Sequence, residues 1–191
     1  MKVRLVAPPW FNANVTEELT EAVELIGKDV WKEASIRFSA ERETKIRAGK
    51  SAPKGMQRYL NEVLTERFAE NGWDGDSGYF FKNKTWVRVT FRHQMSLGAD
   101  ILDALKVCKT EGMELAVILA ANKSTLTVIS PNDANALVSF EKIQSEVLSL
   151  NGAIDIPLLV GELTPLSSAS REINAELRKE RPRDISVPKR M

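Results

Sequence analysis

The chain has 191 residues, 43% of them hydrophobic, which suffices to bury one core of ordinary size in a single domain without disulfides or metals. Its 27 Lys and Arg against 26 Asp and Glu leave a formal net charge of +1, so no global charge argues for nucleic acid, a membrane surface or an acidic substrate. One cysteine, Cys108, excludes an intrachain disulfide framework and a Cys-rich zinc site. With no apolar run of signal-peptide or membrane-spanning length, the expectation is a cytoplasmic protein, neither secreted nor membrane-embedded.

In chain order, Val3 to Val6 reads as a short strand, and Thr16 caps a helix whose apolar positions Leu19, Val23, Ile26 and Val30 recur at three- and four-residue spacing, ending before Ile36. Arg37 to Lys54 carries Arg37, Arg42, Lys45, Arg47, Lys50 and Lys54 against Glu41 and Glu43, and with Gly49 and Pro53 it reads as a basic connecting loop. A helix from about Gly55 to Asn71 presents the stripe Met56, Tyr59, Leu60, Val63, Leu64 and Phe68, with Gly72 as its C-terminal cap. Asp74 and Asp76 fall in the turn that follows. Gly78 to Phe81 and Thr85 to Arg92 form a predicted hairpin around Lys82-Asn83-Lys84.

Ser96 caps the next helix, which lines up Leu97, Ile101, Leu102, Leu105 and Cys108, while Glu114 to Ala120 is a continuous apolar strand of the kind buried on both faces. Asn135 to Leu150 reads as an amphipathic helix and Ile156 to Leu163 as the last strand. The order implies a mixed central sheet flanked by helices in one α/β domain over residues 1–165. Residues 166–191 read as a basic C-terminal helix, from about Ser170 to Glu180, and a tail. Its last 21 residues, from Arg171, hold seven basic and four acidic side chains with Pro182 and Pro188.

The hairpin is the most informative stretch. Alternation in its second strand sends Val87, Val89 and Phe91 to one face and Trp86, Arg88, Thr90 and Arg92 to the other. From Lys82 to Arg92 there are four basic residues and no acid, a cluster able to contact phosphates. His93, the single histidine, reads as a strand-end surface residue, and Cys108 as a small core residue.

The order of elements and the stretches Arg58-Tyr59-Leu60-Asn61-Glu62-Val63-Leu64 before Gly72-Trp73, Thr85-Trp86-Val87-Arg88-Val89-Thr90-Phe91, Gly112-Met113-Glu114-Leu115-Ala116-Val117-Ile118-Leu119 and Ile156-Pro157-Leu158-Leu159-Val160-Gly161 resemble the BglII-like type II restriction endonucleases over about residues 57–163. That resemblance implies a PD-(D/E)XK nuclease fold, a homodimer closing around duplex DNA, and magnesium-assisted hydrolysis. Two acids hold the ion in that chemistry, and a Lys or Gln two residues past the second assists the attacking water. Laid on this chain, the family pattern puts the first acid near Tyr79, the second at Arg88 and the assisting residue at Thr90, so none of the three is retained. A guanidinium opposes a metal cation but binds phosphate directly through its planar fork.

Three readings remain open at this level. The first is a duplex-DNA-binding pseudonuclease with no cofactor, gripping phosphates through Lys82, Lys84, Arg88, Arg92, Lys50 and Lys54. The second is an active magnesium-dependent endonuclease whose acids have migrated to Asp74, Asp76, Glu62 or Glu66. The third is a protein-interaction module without nucleic acid. The competing structural roles are a solvated strand face for the basic residues, turn chemistry for Asp74 and Asp76, and a solvent-facing helix surface for Glu62 and Glu66.

Overall fold

The computed structural model describes residues 1–9, 11, 14–150 and 153–165. The expected helix from Ser170 to Glu180 and the basic tail lie outside the described residues. Twelve elements follow in order: β1 (Lys2–Val6), α1 (Glu17–Gly27), α2 (Val30–Arg47), α3 (Gln57–Glu70), β2 (Asp74–Asp76), β3 (Tyr79–Lys82), β4 (Thr85–Thr90), α4 (Leu97–Thr110), β5 (Leu115–Ala121), α5 (Lys123–Ile129), α6 (Phe140–Ser149) and β6 (Leu158–Thr164).

The strands form one mixed sheet in the order β1-β6-β5-β4-β3-β2. β4, β5 and β6 run parallel, while β1 pairs antiparallel with β6, and β2, β3 and β4 form an antiparallel meander. The parallel pairs need crossover helices, supplied by α4 between β4 and β5 and by α6 between β5 and β6. Both crossovers cover the same face of the sheet, where Leu97, Ile101, Ala104, Val107, Phe140, Ile143 and Val147 meet Trp86, Ala116, Ile118 and Val160. The opposite face is covered by α1, α2, α3 and α5.

β5 shows why its seven residues make a strand. Leu115, Val117, Leu119 and Ala121 enter one core while Ala116, Ile118 and Ala120 enter the other, so an unbroken apolar run is what two covered faces demand. Among the described residues no helix is long and apolar enough to cross a membrane.

Three expectations are corrected. Of the stretch read as a basic loop, Arg37 to Arg47 is the second half of α2, while residues 48–54 do form a connection. The chain breaks at Asp29, whose φ is 35°, and then runs as one helix to Arg47. Only Val30, Trp31, Ala34 and Phe38 are buried on it. Beyond Phe38 the helix carries the same-helix ion pairs Glu41 with Lys45 (3.1 Å) and Glu43 with Arg47 (3.1 Å), in which the acid precedes the base by four residues. It is tied to its surroundings by Glu41 with Arg58 of α3 and by Arg42, which donates to the Pro53 carbonyl. The turn read around Asp74 and Asp76 is an edge strand closed by Ser77 and Gly78, both at positive φ, as a tight two-residue hairpin requires. Last, the helix read from Asn135 starts at Phe140 behind the Ser139 cap, and the short α5, capped by Asn122, precedes it.

Candidate functional site

β3 and β4 bring the positions of interest together. Tyr79 stands directly opposite Arg88, and Asp76 directly opposite Tyr79, so three strands present Asp76, Tyr79 and Arg88 as one row. Gly78 makes this approach possible. It lies at φ 81°, its carbonyl accepts the Val89 N–H at 2.7 Å, and a Cβ there would come within 2.2 Å of the Val89 carbonyl oxygen.

The Arg88 face does not open to solvent, because α4 and α6 lie across it: Trp86 and Thr90 are fully buried and Arg88 is only 7% exposed. Its guanidinium is directed at Asp100, the buried acid in the first turn of α4. Arg88 Nε donates to Asp100 Oδ1 at 3.1 Å, and Arg92 donates to the same oxygen at 3.0 Å. Arg88 also lies 6.0 Å over the Tyr79 ring, which meets Trp86 edge to face. The expectation of Arg88 as a direct phosphate ligand on an open strand face is therefore corrected: it is the internal counterion of Asp100. Arg92, two residues past the end of β4, keeps 45% of its side chain exposed.

The remaining basic candidates divide. Lys82 and Lys84 flank the hairpin tip at the start of β4, at the opposite end of the strand from Arg92. Lys82 ties the hairpin to α1, donating to both Glu21 oxygens (2.8 and 3.0 Å) and to the Asn71 carbonyl, while Trp73 Nε1 donates to the same carboxylate. Lys84 pairs with Glu114 on the surface. Lys50 and Lys54 are exposed in the connection between α2 and α3, apart from the β4 residues in sequence and on the far side of the sheet from α4.

The alternative acids are dispersed. Glu62 pairs with Arg58 (3.2 Å). Glu66 accepts two hydrogen bonds from Arg37 (2.7 and 2.5 Å), and that guanidinium holds its carboxyl below the ordinary carboxylate range. Asp74 and Asp76 stand exposed on the edge strand, and among the described residues no three His, Cys, Asp or Glu side chains gather as a metal site. At Tyr79, Arg88 and Thr90 the donors are a phenol, a guanidinium and a hydroxyl, a set that does not suit a hard divalent cation, and the nearby Asp100 carboxylate is already shared by two arginines. Cys108 is half-buried, and burial pushes its thiol up to about 11, which keeps it protonated and unreactive at neutral pH. His93 sits exposed after β4, its Nδ1 accepting the Met95 N–H.

Sequence reasoning missed Asp100. Its position carried a signal, because it falls within the apolar stripe Leu97, Ile101, Ala104 and Val107 of α4. An acid in a buried stripe requires a cationic partner across the interface.

The architecture is a restriction-endonuclease-like α/β fold. The crystal structure of restriction endonuclease BglII complexed with a DNA 16-mer superposes with a TM-score of 0.52 and 18% sequence identity, covering 87% of this chain and 79% of that one. No protein-family model matches the chain. No curated protein matches it in sequence.

Proposed function

We propose that this protein binds duplex DNA as a homodimer and does not cleave it, on a nuclease fold whose cation site is degenerate. The observation that carries the reading is β4 itself: neither of its faces holds a carboxylate, and at the point opposite Tyr79 it holds a guanidinium locked by Asp100. Phosphodiester hydrolysis through a magnesium ion needs hard anionic ligands at that point, and a fixed positive charge opposes the ion. The BglII structure was determined with DNA bound, which supports duplex DNA as the partner. The migrated-acid alternative has Asp76 in the same row, but next to Tyr79 and two strands from β4, with no second acid opposite it.

Incubating supercoiled plasmid with the protein and magnesium or manganese, beside gel shifts at two salt concentrations, tests this. The expected result is intact plasmid together with a shift that weakens steeply as salt rises, because neutralised phosphates release counterions. Metal-dependent nicking sends the assignment to the migrated-acid reading, with Asp76 and Asp74 the first residues to replace. Neither a shift nor nicking leaves the interaction module.

For the dimer, the surface between α4 and α6 offers an apolar groove of about 550 Å³, lined by Leu97, Ile101, Leu102, Leu105, Leu150 and Ile154. Leu102 is 66% exposed there. A second copy laid across this face by a two-fold axis would cover it, and duplex DNA has matching symmetry. Light scattering at micromolar concentration should give twice the chain mass, and Leu102→Glu should return it to a monomer with its helical signal unchanged. A monomeric wild type, with and without DNA, rejects the dimer.

A further inference from the structure

The Arg88, Asp100 and Arg92 cluster does more than fill the space between β4 and α4. Building on the DNA-binding reading, we infer that Asp100 is a positioning residue, which holds Arg92 rather than Arg88 as the group that meets a backbone phosphate.

The geometry separates the two arginines. Arg88 is enclosed by the sheet face, Tyr79 and α4, and its charge is spent on Asp100. Arg92 touches the same carboxylate oxygen with one terminal nitrogen, at 3.0 Å, and exposes nearly half of its side chain. A guanidinium has five N–H groups in a planar fork, so one held edge leaves another edge for a phosphate oxygen pair. The backbone beneath it is pinned as well. The Arg92 N–H donates to Thr90 Oγ1 (3.4 Å), its carbonyl accepts from the Val138 N–H (2.9 Å), and His93 bridges to Leu137.

Asp100 is fully buried, and its second oxygen, Oδ2, is buried without a hydrogen-bond partner. A carboxylate in that state is held in place by its cations, and in turn holds them. A long flexible side chain on the surface loses rotamer freedom when it grips a phosphate, whereas Arg92 has lost part of it already. Arg88 adds the second positive charge, so the cluster carries a net charge of one cation at the surface rather than a neutral pair.

This makes a prediction opposite in sign to bulk electrostatics. Asp100→Asn raises the formal net charge above +1 and, by charge alone, should tighten binding to DNA. If Asp100 positions Arg92, the variant instead binds a random-sequence duplex about tenfold more weakly. Its log-affinity against log-salt slope should shrink by about one unit, as for one lost phosphate contact. Arg92→Lys keeps the charge and leaves the buried Arg88–Asp100 pair intact, yet gives up the fork, and should lose about as much.

Duplex affinities of the three proteins at two salt concentrations, with 15N spectra of the arginine side chains in DNA-free protein, make the test. In the wild type the Arg92 guanidinium nitrogens should show hindered rotation, and in Asp100→Asn free rotation. Binding by Asp100→Asn as tight as wild type or tighter overturns the inference. Should Asp100→Asn not fold, Arg92→Lys and the wild-type spectrum decide together: a tenfold loss with the Arg92 guanidinium hindered in the wild type upholds the inference, and wild-type affinity or free rotation in the wild type overturns it. If the wild type itself binds no duplex, the DNA-binding reading falls. The spectra then decide the positioning: Arg92 hindered in the wild type and released in Asp100→Asn upholds it, and equal rotation in both overturns it.

Discussion

Arg88→Met should destabilise the protein by about 3 kcal/mol, read as a lower urea midpoint at unchanged slope. The side chain is only 7% exposed and its partner Asp100 is fully buried, so the substitution leaves a carboxylate in the interior with half of its compensation removed. Removing one partner of a buried ion pair costs about 3 to 5 kcal/mol, and the lower end applies because Arg92 still reaches Asp100 Oδ1. The loss comes from the stranded charge and not from lost packing, since Met fills much of the Arg volume. Adding Asp100→Leu to Arg88→Met should therefore recover most of the stability, because two apolar groups across the β4–α4 contact need no partners, and Arg92 can turn to water. A single variant within about 1 kcal/mol of wild type, or a double variant less stable than the single, would mean that the pair is not what holds α4 in register on the sheet.

The sheet was legible wherever burial dictates pattern. β5 is apolar throughout because both of its faces are covered, and the turn around Asn83, at φ 52°, has the residue type that such a turn takes. The elements that escaped are those whose stability lies in side-chain pairing or in the sheet itself. The second half of α2 buries little beyond Phe38 and is held by polar pairs, some one turn apart and one reaching Arg58 of α3, which read as a charged loop when charge is only counted. β2 is three exposed residues, Asp-Gly-Asp, and is a strand because β3 lies beside it. α5 has seven residues, fewer than periodicity can resolve, though its Asn122 cap was there to be noticed.

The site was legible as a row and not as an environment. Alternation correctly put Trp86, Arg88 and Thr90 on one face of β4, whereas the register that sets Tyr79 opposite Arg88 comes from a two-residue turn, Asn83-Lys84, in place of the expected Lys82-Asn83-Lys84. Which face is open depends on where the crossover helices go, and that is a property of the whole topology. Both α4 and α6 cover the Arg88 face, so residues that look accessible on a hairpin become interior. Lys82 shows the same limit, because its partner Glu21 is 61 residues away in the chain. Asp100 could have been found by asking why an acid interrupts the apolar stripe of α4 four residues before Ala104.

Restoring carboxylates with Tyr79→Asp and Arg88→Glu should convert the cluster into a divalent-cation site, and should make stability depend on the metal. In the wild type, calorimetry with magnesium or manganese is expected to show no site, since Tyr79, Arg88 and Thr90 offer no carboxylate and Asp100 is neutralised by two guanidiniums. In the double variant the new side chains face one another across the β3–β4 ladder, about 5 Å apart at Cβ, and the second of them stands where Arg88 now meets Asp100. Three acids then converge with Arg92 as the one remaining counterion, a state that repels itself without a cation and supplies oxygen ligands with one. The metal-free variant should be less stable than wild type, and magnesium at a hundred times its dissociation constant should raise the melting temperature by about 5 to 10 °C, the yield of about 2.7 kcal/mol of linkage in a domain of this size. Wild-type melting should not respond to the metal. Binding is a stricter readout than cleavage here, because Thr90 has no amine or amide to steer water, and two new carboxylates do not bring their supporting hydrogen bonds with them. A double variant that takes up no metal, with its fold shown intact by circular dichroism, would mean that the row opposite Arg88 does not correspond to a cation site at all. The degenerate-site reading would then lose its footing, and Asp76, at the exposed end of the same row, would become the place to look for the missing chemistry.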